Sequence, residues 1–466
     1  MRPGFHIHFV GIGGIGMSGI AEVLLALGCT VSGSDLSHTD LTERLERLGA
    51  RISYGHDPEN VVAGVNAVVI SSAVKFANPE VARARDLRIP VIPRAEMLAE
   101  LMRMKSGLAV AGTHGKTTTT SLIAATLWEG DLDPTVIIGG KVHALGSNAR
   151  SGLGDTLVAE ADESDGTFLL LTPTIAVVTN IDPEHLDHYG TVERAEEAYL
   201  EFVNRVPFYG LAVLCIDSVR VRALLPHVRK RYVTYGLSSD AEVSARDLVV
   251  EGLTTRFVVT RGGEDLGEVR IGMPGRHVAQ NVLATVAAVT EVGVPFATFV
   301  KAMASFGGIH RRFEVRATVR GVTVVDDYGH HPEEVRTTLR AAREAMRRRL
   351  VVAFQPHRFT RTRDLFNDFL DAFDDADVLF LTDIYAAGEE PIADVTSASL
   401  VRALKQRGHA DVRLVPARSD LPEEIAREAK DGDVVMLLGA GDIIKVGPDL
   451  VTQLKKGGRR AVRRVK

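Results

Sequence analysis

Two glycine-rich loops, each placed directly after a short apolar run, constrain the fold of this chain more than any other feature. The first loop, residues 11–16 (GIGGIG), follows His6–Val10, and the second, residues 112–118 (GTHGKTT), follows residues 108–111. Each loop leads into a segment of helical periodicity, which indicates a strand, a tight turn and a helix in succession. Units of this kind build parallel sheets covered by helices, so we predict an α/β chain.

Further apolar runs rich in Val and Ile alternate with longer helical segments along the whole chain. The predicted strands are 6–10, 30–34, 67–71, 108–111, 156–159, 175–179, 322–325, 350–354, 378–382 and 434–438. Between about 240 and 275 the pattern changes to alternating residues with glycine turns, which predicts a small antiparallel addition. We place domain boundaries near residues 105–107 and 312–314, each just before a strand.

Length and composition limit the function classes. A chain of 466 residues is expected to form two or three domains. A net charge of -5 gives no reason to expect a nucleic acid partner. Two cysteines without CxxC spacing suggest neither disulfides nor zinc, and no apolar run approaches the roughly 20 residues that cross a bilayer. We therefore expect a cytoplasmic protein without a membrane partner; the basic tail, 455–466, is either a solvated terminus or a patch for a membrane or nucleic acid.

The first glycine loop matches GxGxxG and offers backbone N–H groups and a helix N-terminus to a pyrophosphate. A second strand ends in Asp35, about 20 residues past the loop, where dinucleotide folds place the carboxylate that holds a ribose. By itself this pattern is typical of NAD binding. The alternative is that the glycines only permit a tight turn.

The second glycine loop is a phosphate-binding sequence of the GxxGKT form. Its successive N–H groups can wrap phosphates, Lys116 can neutralise β and γ oxygens, and the Thr117 hydroxyl can reach a Mg²⁺. The loop is shorter than GxxxxGK[ST], so an ordinary P-loop GTPase or kinase is not the best match.

Polar residues follow the next two strands at their carboxyl ends, where ligands gather in such sheets. The segment 160–165 (EADESD) supplies carboxylates for a phosphate-bound Mg²⁺, and we choose Glu163 as the ligand. The segment 180–188 (NIDPEHLDH) offers His185 for a second ion. Two ions side by side would clamp a phosphoryl transfer. The alternative for His185 is a solvated histidine in an acidic loop.

These residues and their order resemble the Mur ligase family, whose members activate a carboxylate with ATP and let an amine attack the acyl phosphate. The resemblance covers nearly the whole chain, and within the family it is closest to the branch that joins L-alanine to UDP-N-acetylmuramate for peptidoglycan. The motifs that carry it are GIGGIGMSGIAEVL, SGSD, SSAV, AGTHGKTTTT, EADESD, TNIDPEHLDHYG, GMPGRH, HRRFE, DDYGHHP, FQPHRFTRTRDLF, DIYAAGE and GAGDI.

The resemblance implies three domains and their substrates. Residues 1–106 would form a Rossmann-like domain that binds UDP-sugar, 107–313 a central P-loop ATPase-type domain that binds ATP, and 314–466 a C-terminal Rossmann-like domain that binds the amino acid. The residues implied for the UDP-sugar are Gly13, Gly14, Gly16, Ser34, Asp35, Ser71 and Ser72, with His143, Asn148 and Arg150 at the muramyl group.

The resemblance also implies the ATP and metal sites. The residues implied for ATP are Gly112, Thr113, His114, Gly115, Lys116, Thr117, Thr118, Asn281, Arg312 and Asp327, with Asn281 at the adenine. Thr117 and Glu163 would hold one Mg²⁺ and His185 the other. No carbamylated lysine is expected, although several sister ligases use one. His277 is followed by Val278, where family members often have Asn, so the adenine contact rests on Asn281.

The amino acid site is implied in the last domain. An amino acid carboxylate favours guanidinium groups, and Arg358 and Arg361 offer two of them. Tyr328, His330 and His357 would line the same pocket, with His330 as a base for the incoming ammonium. Together with Lys116, Glu163 and His185, His330 completes the catalytic set that we predict.

Four other interpretations remain. One is a family branch that recycles a preformed murein tripeptide, although that branch does not usually carry PHRFTRTRD. A folylpolyglutamate-synthetase-like enzyme would not need the first glycine loop. An NAD-dependent oxidoreductase with an appended ATPase rests on that first loop alone. A nucleotide-binding scaffold without chemistry is disfavoured by the carboxylates and histidines at the strand ends.

Overall fold

A computed structural model describes residues 3–71, 73–142 and 147–456. The chain divides into two compact units, of which the first contains residues 1–248, 257–270 and 279–307, and the second contains 249–256, 271–278 and 308–466. Three sheets account for the 21 strands of the described residues.

The N-terminal sheet has five strands in the order β3-β2-β1-β4-β5, all parallel. Its elements are β1 (His6–Val10), α1 (Ile15–Ala26), β2 (Thr30–Asp35), α2 (Asp40–Arg47), β3 (Arg51–Tyr54), β4 (Ala67–Ile70), α3 (Pro79–Asp86), β5 (Val91–Pro93) and α4 (Arg94–Met102). The central strands are largely buried, as parallel strands covered on both faces are, although β1 and β2 also bury the polar side chains of His8, Ser32 and Ser34.

The second sheet has ten strands in the order β15-β14-β13-β12-β11-β10-β6-β9-β7-β8. Its first elements are β6 (Ser106–Ala111), α5 (Lys116–Glu129), β7 (Thr135–Val142), β8 (Ser147–Arg150), β9 (Thr156–Glu160), β10 (Ile175–Val178), α6 (Leu186–Tyr189), α7 (Val192–Asn204), β11 (Leu211–Cys215), α8 (Val219–Leu224) and β12 (Tyr232–Tyr235). Strand β6 lies between β10 and β9, parallel to both. The carboxyl ends of β9 and β10 therefore flank the loop that follows β6.

The predicted small addition is present as three consecutive neighbouring strands. They are β13 (Val243–Glu251), β14 (Thr254–Arg261) and β15 (Glu264–Ile271), followed by α9 (Arg276–Glu291) and α10 (Phe296–Ser305). Two-residue turns, 252–253 and 262–263, join the strands, and only antiparallel neighbours can be joined so tightly. Gly252 and Gly262 have φ of 55° and 58°, which glycine adopts without strain.

The second unit holds a six-stranded sheet in the order β16-β17-β21-β18-β19-β20, in which only β16 is antiparallel to its neighbour. Its elements are β16 (Glu314–Val319), β17 (Val322–Asp327), α11 (Pro332–Met346), β18 (Leu350–Phe354), α12 (Phe359–Asp364), α13 (Phe366–Ala372), β19 (Val378–Leu381), α14 (Ser397–Arg407), β20 (Val412–Leu414), α15 (Leu421–Glu428), β21 (Val434–Leu438) and α16 (Val446–Lys456).

All ten predicted strands are confirmed, and their ends shift by at most two residues. The differences fall at strand ends, for example at β17, which runs on to Asp327. Short edge strands such as β5 and β20 were not predicted, because three residues carry too little alternation to recognise. Among the described residues, every helix is too short or too polar to cross a membrane.

Candidate functional site

The second glycine loop connects β6 to α5, and two of its glycines have backbone angles that other residues rarely adopt. Gly112 has φ +134°, and a Cβ built there would lie 2.0 Å from Thr179 Oγ1. Gly115 has φ +82° and directly precedes α5. The loop therefore needs glycine at both positions, and its N–H groups surround the N-terminus of a 14-residue helix.

The segment that follows β10 holds this loop in place. Thr113 N donates to Asn180 O over 3.1 Å. His114 N donates to Asn180 Oδ1 over 2.8 Å, and Asn180 Nδ2 donates to His114 O over 3.1 Å. Asp182 N donates to Thr113 Oγ1 over 2.9 Å. The Asn180 side chain and the backbone of residues 180 and 182 thus fix the conformation of the loop, which would lower the cost of ordering it around a phosphate.

Lys116 lies between this loop and the acidic segment after β9. Its Nζ donates to Gly112 O over 2.5 Å, to Thr113 O over 3.1 Å and to Glu163 Oε1 over 2.8 Å. Burial lowers the pKa of Lys116, but the attraction of Glu163 and its neighbouring carboxylates outweighs this and raises the pKa. A charged ammonium is therefore held at the second glycine loop, and its contact with nucleotide phosphates stays a prediction.

The carboxylate of Glu163 is buried, and only one of its two oxygens accepts a hydrogen bond from a described residue. The residue is 3% exposed, and Oε2 has no hydrogen-bond partner among the described residues. Burial raises the pKa of Glu163 to about 7, opposed by the Lys116 ammonium. A buried carboxylate oxygen without a partner is costly unless a ligand satisfies it, and Mg²⁺ prefers such oxygens. The residue fits the predicted metal site.

His185 precedes α6 in a left-handed conformation, with φ 57°. Its Nε2 lies 3.8 Å from Glu163 Oε1 and 3.8 Å from Glu184 Oε2. The structure thus brings the predicted ligands Glu163 and His185 together beside Lys116. Within the described parts of the chain, no group of three or more His, Cys, Asp or Glu side chains could hold a metal by itself. Phosphate oxygens, waters and the Thr117 hydroxyl could complete the coordination of an ion held by these residues.

Two further features of this site concern residues on neighbouring elements. Glu160, the last residue of β9, lies close enough to Lys116 to raise its pKa, and is a second candidate metal ligand in the segment from which we chose Glu163. Asn281, on α9, is 7% exposed and accepts a hydrogen bond from Thr119 Oγ1 over 3.3 Å. A Cβ on Gly115 would lie 2.7 Å from Asn281 Oδ1, so this side chain borders the loop. Its contact with adenine stays a prediction.

The carboxylate of Asp35 holds the first glycine loop through a hydrogen bond. Gly13 N donates to Asp35 Oδ2 over 2.8 Å, and Ser37 N donates to Asp35 Oδ1 over 3.1 Å. Both carboxylate oxygens are therefore occupied by backbone groups. Gly14 immediately precedes α1, and Ser71 follows β4, so the predicted UDP-sugar residues of these loops lie at the carboxyl edge of the sheet.

Behind this edge lies a buried polar network that the sequence does not predict. Glu80, at the start of α3, is fully buried and accepts hydrogen bonds from Ser34 Oγ over 2.6 Å and from Asn60 Nδ2 over 2.6 Å. His8 Nε2 lies 3.5 Å away from its Oε2. Ser34 is itself fully buried, so its hydroxyl faces Glu80, and its contact with UDP stays a prediction. A lone Glu in a helix gives no sequence signal of burial.

Two of the residues predicted at the muramyl group, Asn148 and Arg150, lie in β8, which pairs with β7 beside α1. Arg150, at the end of β8, pairs with Asp133 over 3.2 Å and lies over the Trp128 ring, 5.1 Å from its centroid. Asn148 lies in β8. His143, like Ser72 of the first domain, lies outside the described residues.

In the second unit, the predicted amino acid residues come together at the carboxyl ends of β17 and β18. The rings of Tyr328 and His330 are 5.3 Å apart, those of His330 and His357 are 5.5 Å apart, and His357 stacks on Tyr385 at 5.6 Å. Burial, together with the charges of His330, Arg361 and Arg358, lowers the pKa of His357 to about 3. His357 is therefore a neutral member of this row of rings.

Arg358 precedes α12 with φ +72°, an unusual angle for a residue with a side chain. Its N–H donates to Tyr385 O over 2.8 Å, and Arg361 Nη1 lies 3.3 Å from His357 Nδ1. The backbone after β18 is thus tied to the loop after β19. Glu389, in that second loop, accepts from Thr360 N over 3.0 Å. Tyr385 and Glu389 were missed, although the rule that polar residues gather at strand ends applies to them too.

Arg312 and Asp327, predicted to reach the nucleotide, also lie in the second unit. Asp327 Oδ2 accepts from Phe313 N over 2.8 Å, and Oδ1 accepts from Gly329 N over 2.8 Å. Burial raises the pKa of Asp327, and Arg312 opposes this. The Arg312 guanidinium lies 5.4 Å from the centroid of the Tyr328 ring. The two residues are therefore neighbours of the row of rings.

Comparisons with known proteins agree with this architecture. Three family models match in succession: "Mur ligase family, catalytic domain" over residues 6–106, "Mur ligase middle domain" over 110–289 and "Mur ligase, glutamate ligase domain" over 311–441. Together they leave few residues of the chain unmatched. The three sheets therefore correspond to a three-domain α/β architecture.

Relatives match over almost their full length. The chain is 58% identical to a protein of Anaeromyxobacter dehalogenans (strain 2CP-1) named UDP-N-acetylmuramate--L-alanine ligase, over 97% of this chain and 98% of that protein. It is 55% identical to a protein of the same name from Myxococcus xanthus, over 97% of this chain and 96% of that protein. The crystal structure of UDP-N-acetylmuramate-alanine ligase MurC from Thermotoga maritima matches with a TM-score of 0.81 and 30% identity, over 97% of this chain and 99% of that one. The matches and the site geometry lead to one conclusion: this chain belongs to the Mur ligase family.

Proposed function

We propose that this chain uses ATP to join L-alanine to the lactyl carboxylate of UDP-N-acetylmuramate, a step of peptidoglycan precursor synthesis. The observation that carries the proposal is the position of the Lys116 ammonium in the loop that follows β6. Its Nζ donates to Glu163 Oε1 over 2.8 Å. Relatives at 58% and 55% identity that bear the name of this activity support the choice of substrates.

In the proposed first step, a carboxylate oxygen of the nucleotide sugar attacks the γ-phosphorus of ATP, which gives an acyl phosphate and ADP. The loop N–H groups and Lys116 stabilise the charge on the phosphoryl oxygens. Bound Mg²⁺ would neutralise further phosphate charge, with Thr117 and Glu163 as ligands of one ion and His185 of a second. Asn180 keeps the loop in its binding conformation through His114.

In the proposed second step, the amino group of L-alanine attacks the acyl carbon, and phosphate leaves as the amide forms. We assign the alanine carboxylate to Arg358 and Arg361, because guanidinium groups bind carboxylates in a fixed geometry. Tyr328 and His357 would form the wall of the pocket. His330, whose Nδ1 can donate to Tyr328 O over 3.1 Å, would take the proton of the ammonium at Nε2.

The remaining assignments follow from these roles. The first glycine loop, with Asp35 holding Gly13, would bind the uridine diphosphate. Arg312, Asp327 and Asn281 would contact the nucleotide. We keep the domain limits 1–106, 107–313 and 314–466 as part of the proposal, supported by the limits of the matched segments. Substrates of this kind, ATP and a nucleotide sugar, favour a cytoplasmic reaction.

The test is phosphate release from Mg·ATP in the presence of UDP-N-acetylmuramate, with L-alanine, glycine, a murein tripeptide or no acceptor. We expect release that requires both the nucleotide sugar and L-alanine. Release with tripeptide alone would assign the chain to another branch of the family. Phosphate release that depends on neither the nucleotide sugar nor an amino acceptor would contradict the ligase assignment.

A further inference from the structure

Arg94 lies against the first glycine loop. It is the first residue of α4 and directly follows β5, so its backbone is at the carboxyl edge of the N-terminal sheet. A Cβ built on Gly16 would lie 3.1 Å from Arg94 Cδ and 3.3 Å from Nε and Nη1. The guanidinium therefore covers the first turn of α1, close to the N–H groups that we assign to the diphosphate.

The same guanidinium reaches the acidic segment after β9. Arg94 Nη2 donates to Asp162 Oδ2 over 3.0 Å, with side-chain exposures of 22% and 48%. Asp162 precedes Glu163, whose Oε1 accepts from Lys116 Nζ. One arginine thus joins the surroundings of both glycine loops.

We propose that Arg94 is a positioning residue that couples the two substrate sites, so that nucleotide sugar bound at the first loop strengthens binding of Mg·nucleotide at the second. This inference rests on the proposed function and adds a residue and a thermodynamic linkage to it.

Arg94 would couple the two sites through its charge and through the order of its side chain. A guanidinium has five N–H donors, so Arg94 can bind a diphosphate oxygen while it keeps Asp162. A bound diphosphate would hold the Arg94 side chain in one rotamer. The ion pair with Asp162 would then form without a further loss of Arg94 side-chain entropy. The segment of Asp162 and Glu163 then becomes ordered at a lower cost. By thermodynamic linkage, Mg·nucleotide must strengthen binding of the nucleotide sugar by the same factor.

The experiment is calorimetric titration of the full chain with Mg·AMP-PNP, with and without saturating UDP-N-acetylmuramate, which gives a coupling factor. We expect a factor of about 10 in the wild type, equivalent to about 1.4 kcal/mol. Arg94→Met should reduce it below about 2, while the affinity for Mg·AMP-PNP alone changes less than about twofold. Arg94→Lys, which retains the charge and the stem, should keep part of the coupling and guards against a misfolded variant.

The matched control is Arg103→Met, at the other end of α4, where Arg103 is exposed and pairs with Glu100. Its coupling factor should equal that of the wild type. Asp162→Asn should reduce the coupling as Arg94→Met does, and the double variant should add nothing further. Full coupling in Arg94→Met, or weaker nucleotide sugar binding with an unchanged factor, would overturn the inference. A wild type that binds no UDP-N-acetylmuramate would instead refute the proposed function.

Discussion

Replacing Lys116 with Met tests the assignment of the phosphate loop, because Met keeps most of the apolar stem of the side chain and removes the ammonium with its charge and its N–H donors. The ammonium contacts Gly112 O, Thr113 O and Glu163 Oε1. Removal of one fixed donor from an anionic transition state costs about 2.7–4 kcal/mol, so kcat/KM should fall about 10²–10³-fold. The variant should lose ligation without loss of nucleotide sugar binding.

The same change leaves the buried Glu163 carboxylate without its cation. An unpaired buried charge costs about 3–5 kcal/mol of unfolding free energy, but protonation of the carboxyl limits this cost. The pKa of Glu163 is about 7 with Lys116 present. Without the ammonium, the pKa in the folded state must rise further. The unfolding free energy of the variant therefore differs most from that of the wild type above pH 7. The difference grows by at most about 1.4 kcal/mol for each pH unit above 7, and it levels off below pH 7.

Thermal unfolding of the ligand-free protein in EDTA, from pH 6 to pH 9, measures this difference, and phosphate release measures activity. Lys116→Met combined with Glu163→Gln should recover stability and lose the pH dependence, while activity stays lost. Lys405→Met, at an exposed position of α14, is the matched control and should behave as the wild type. If Lys116→Met retained more than about a tenth of kcat/KM, a loss under about 1.4 kcal/mol, the role of this loop would be wrong.

Three further predictions concern the other sites. Arg358→Lys should raise the KM for L-alanine about 10-fold or more, from the loss of a charge-assisted hydrogen bond of about 1.5–3 kcal/mol, with the KM for ATP little changed; an equal rise in both constants would contradict the alanine assignment. Glu163→Gln should raise the Mg²⁺ concentration at half-maximal activity, and the same titration of Glu160→Gln decides which carboxylate dominates; no shift in either variant would remove this segment from the metal site. Glu80→Ala leaves Ser34 and Asn60 without their buried acceptor and should cost about 3 kcal/mol or more of unfolding free energy, seen as a lower midpoint in urea; a loss below about 1 kcal/mol would show that water satisfies the network.

The sequence predicts the strands and the loops at their carboxyl ends because both depend on local patterns. Strand β18 has its predicted limits, and Lys116, Glu163 and His185 meet because β6 lies between β9 and β10. Parallel strands bring their carboxyl ends to one edge, so residues far apart in the chain become neighbours there. The resemblance supplied the order of the substrates along the chain, which no local pattern contains.

Other features depend on tertiary contacts that no local pattern contains. Glu80 looks like an ordinary residue of a helix first turn, and only packing against His8 and Ser34 buries it. The direction of the Ser34 side chain follows from the face of β2 that it occupies. Arg94 resembles a surface arginine in sequence, and its two contacts arise from the distance between Gly16 and Asp162 in space.

The central claim is a ligation that passes through an acyl phosphate, and transfer of isotope tests it most directly. UDP-N-acetylmuramate labelled with ¹⁸O in both oxygens of the lactyl carboxylate is incubated with the chain, Mg·ATP and L-alanine, and the products are weighed by mass spectrometry. We predict equal amounts of alanylated nucleotide sugar with one ¹⁸O in the new amide and of phosphate with one ¹⁸O. Unlabelled phosphate, or phosphate without the alanylated product, would contradict the account.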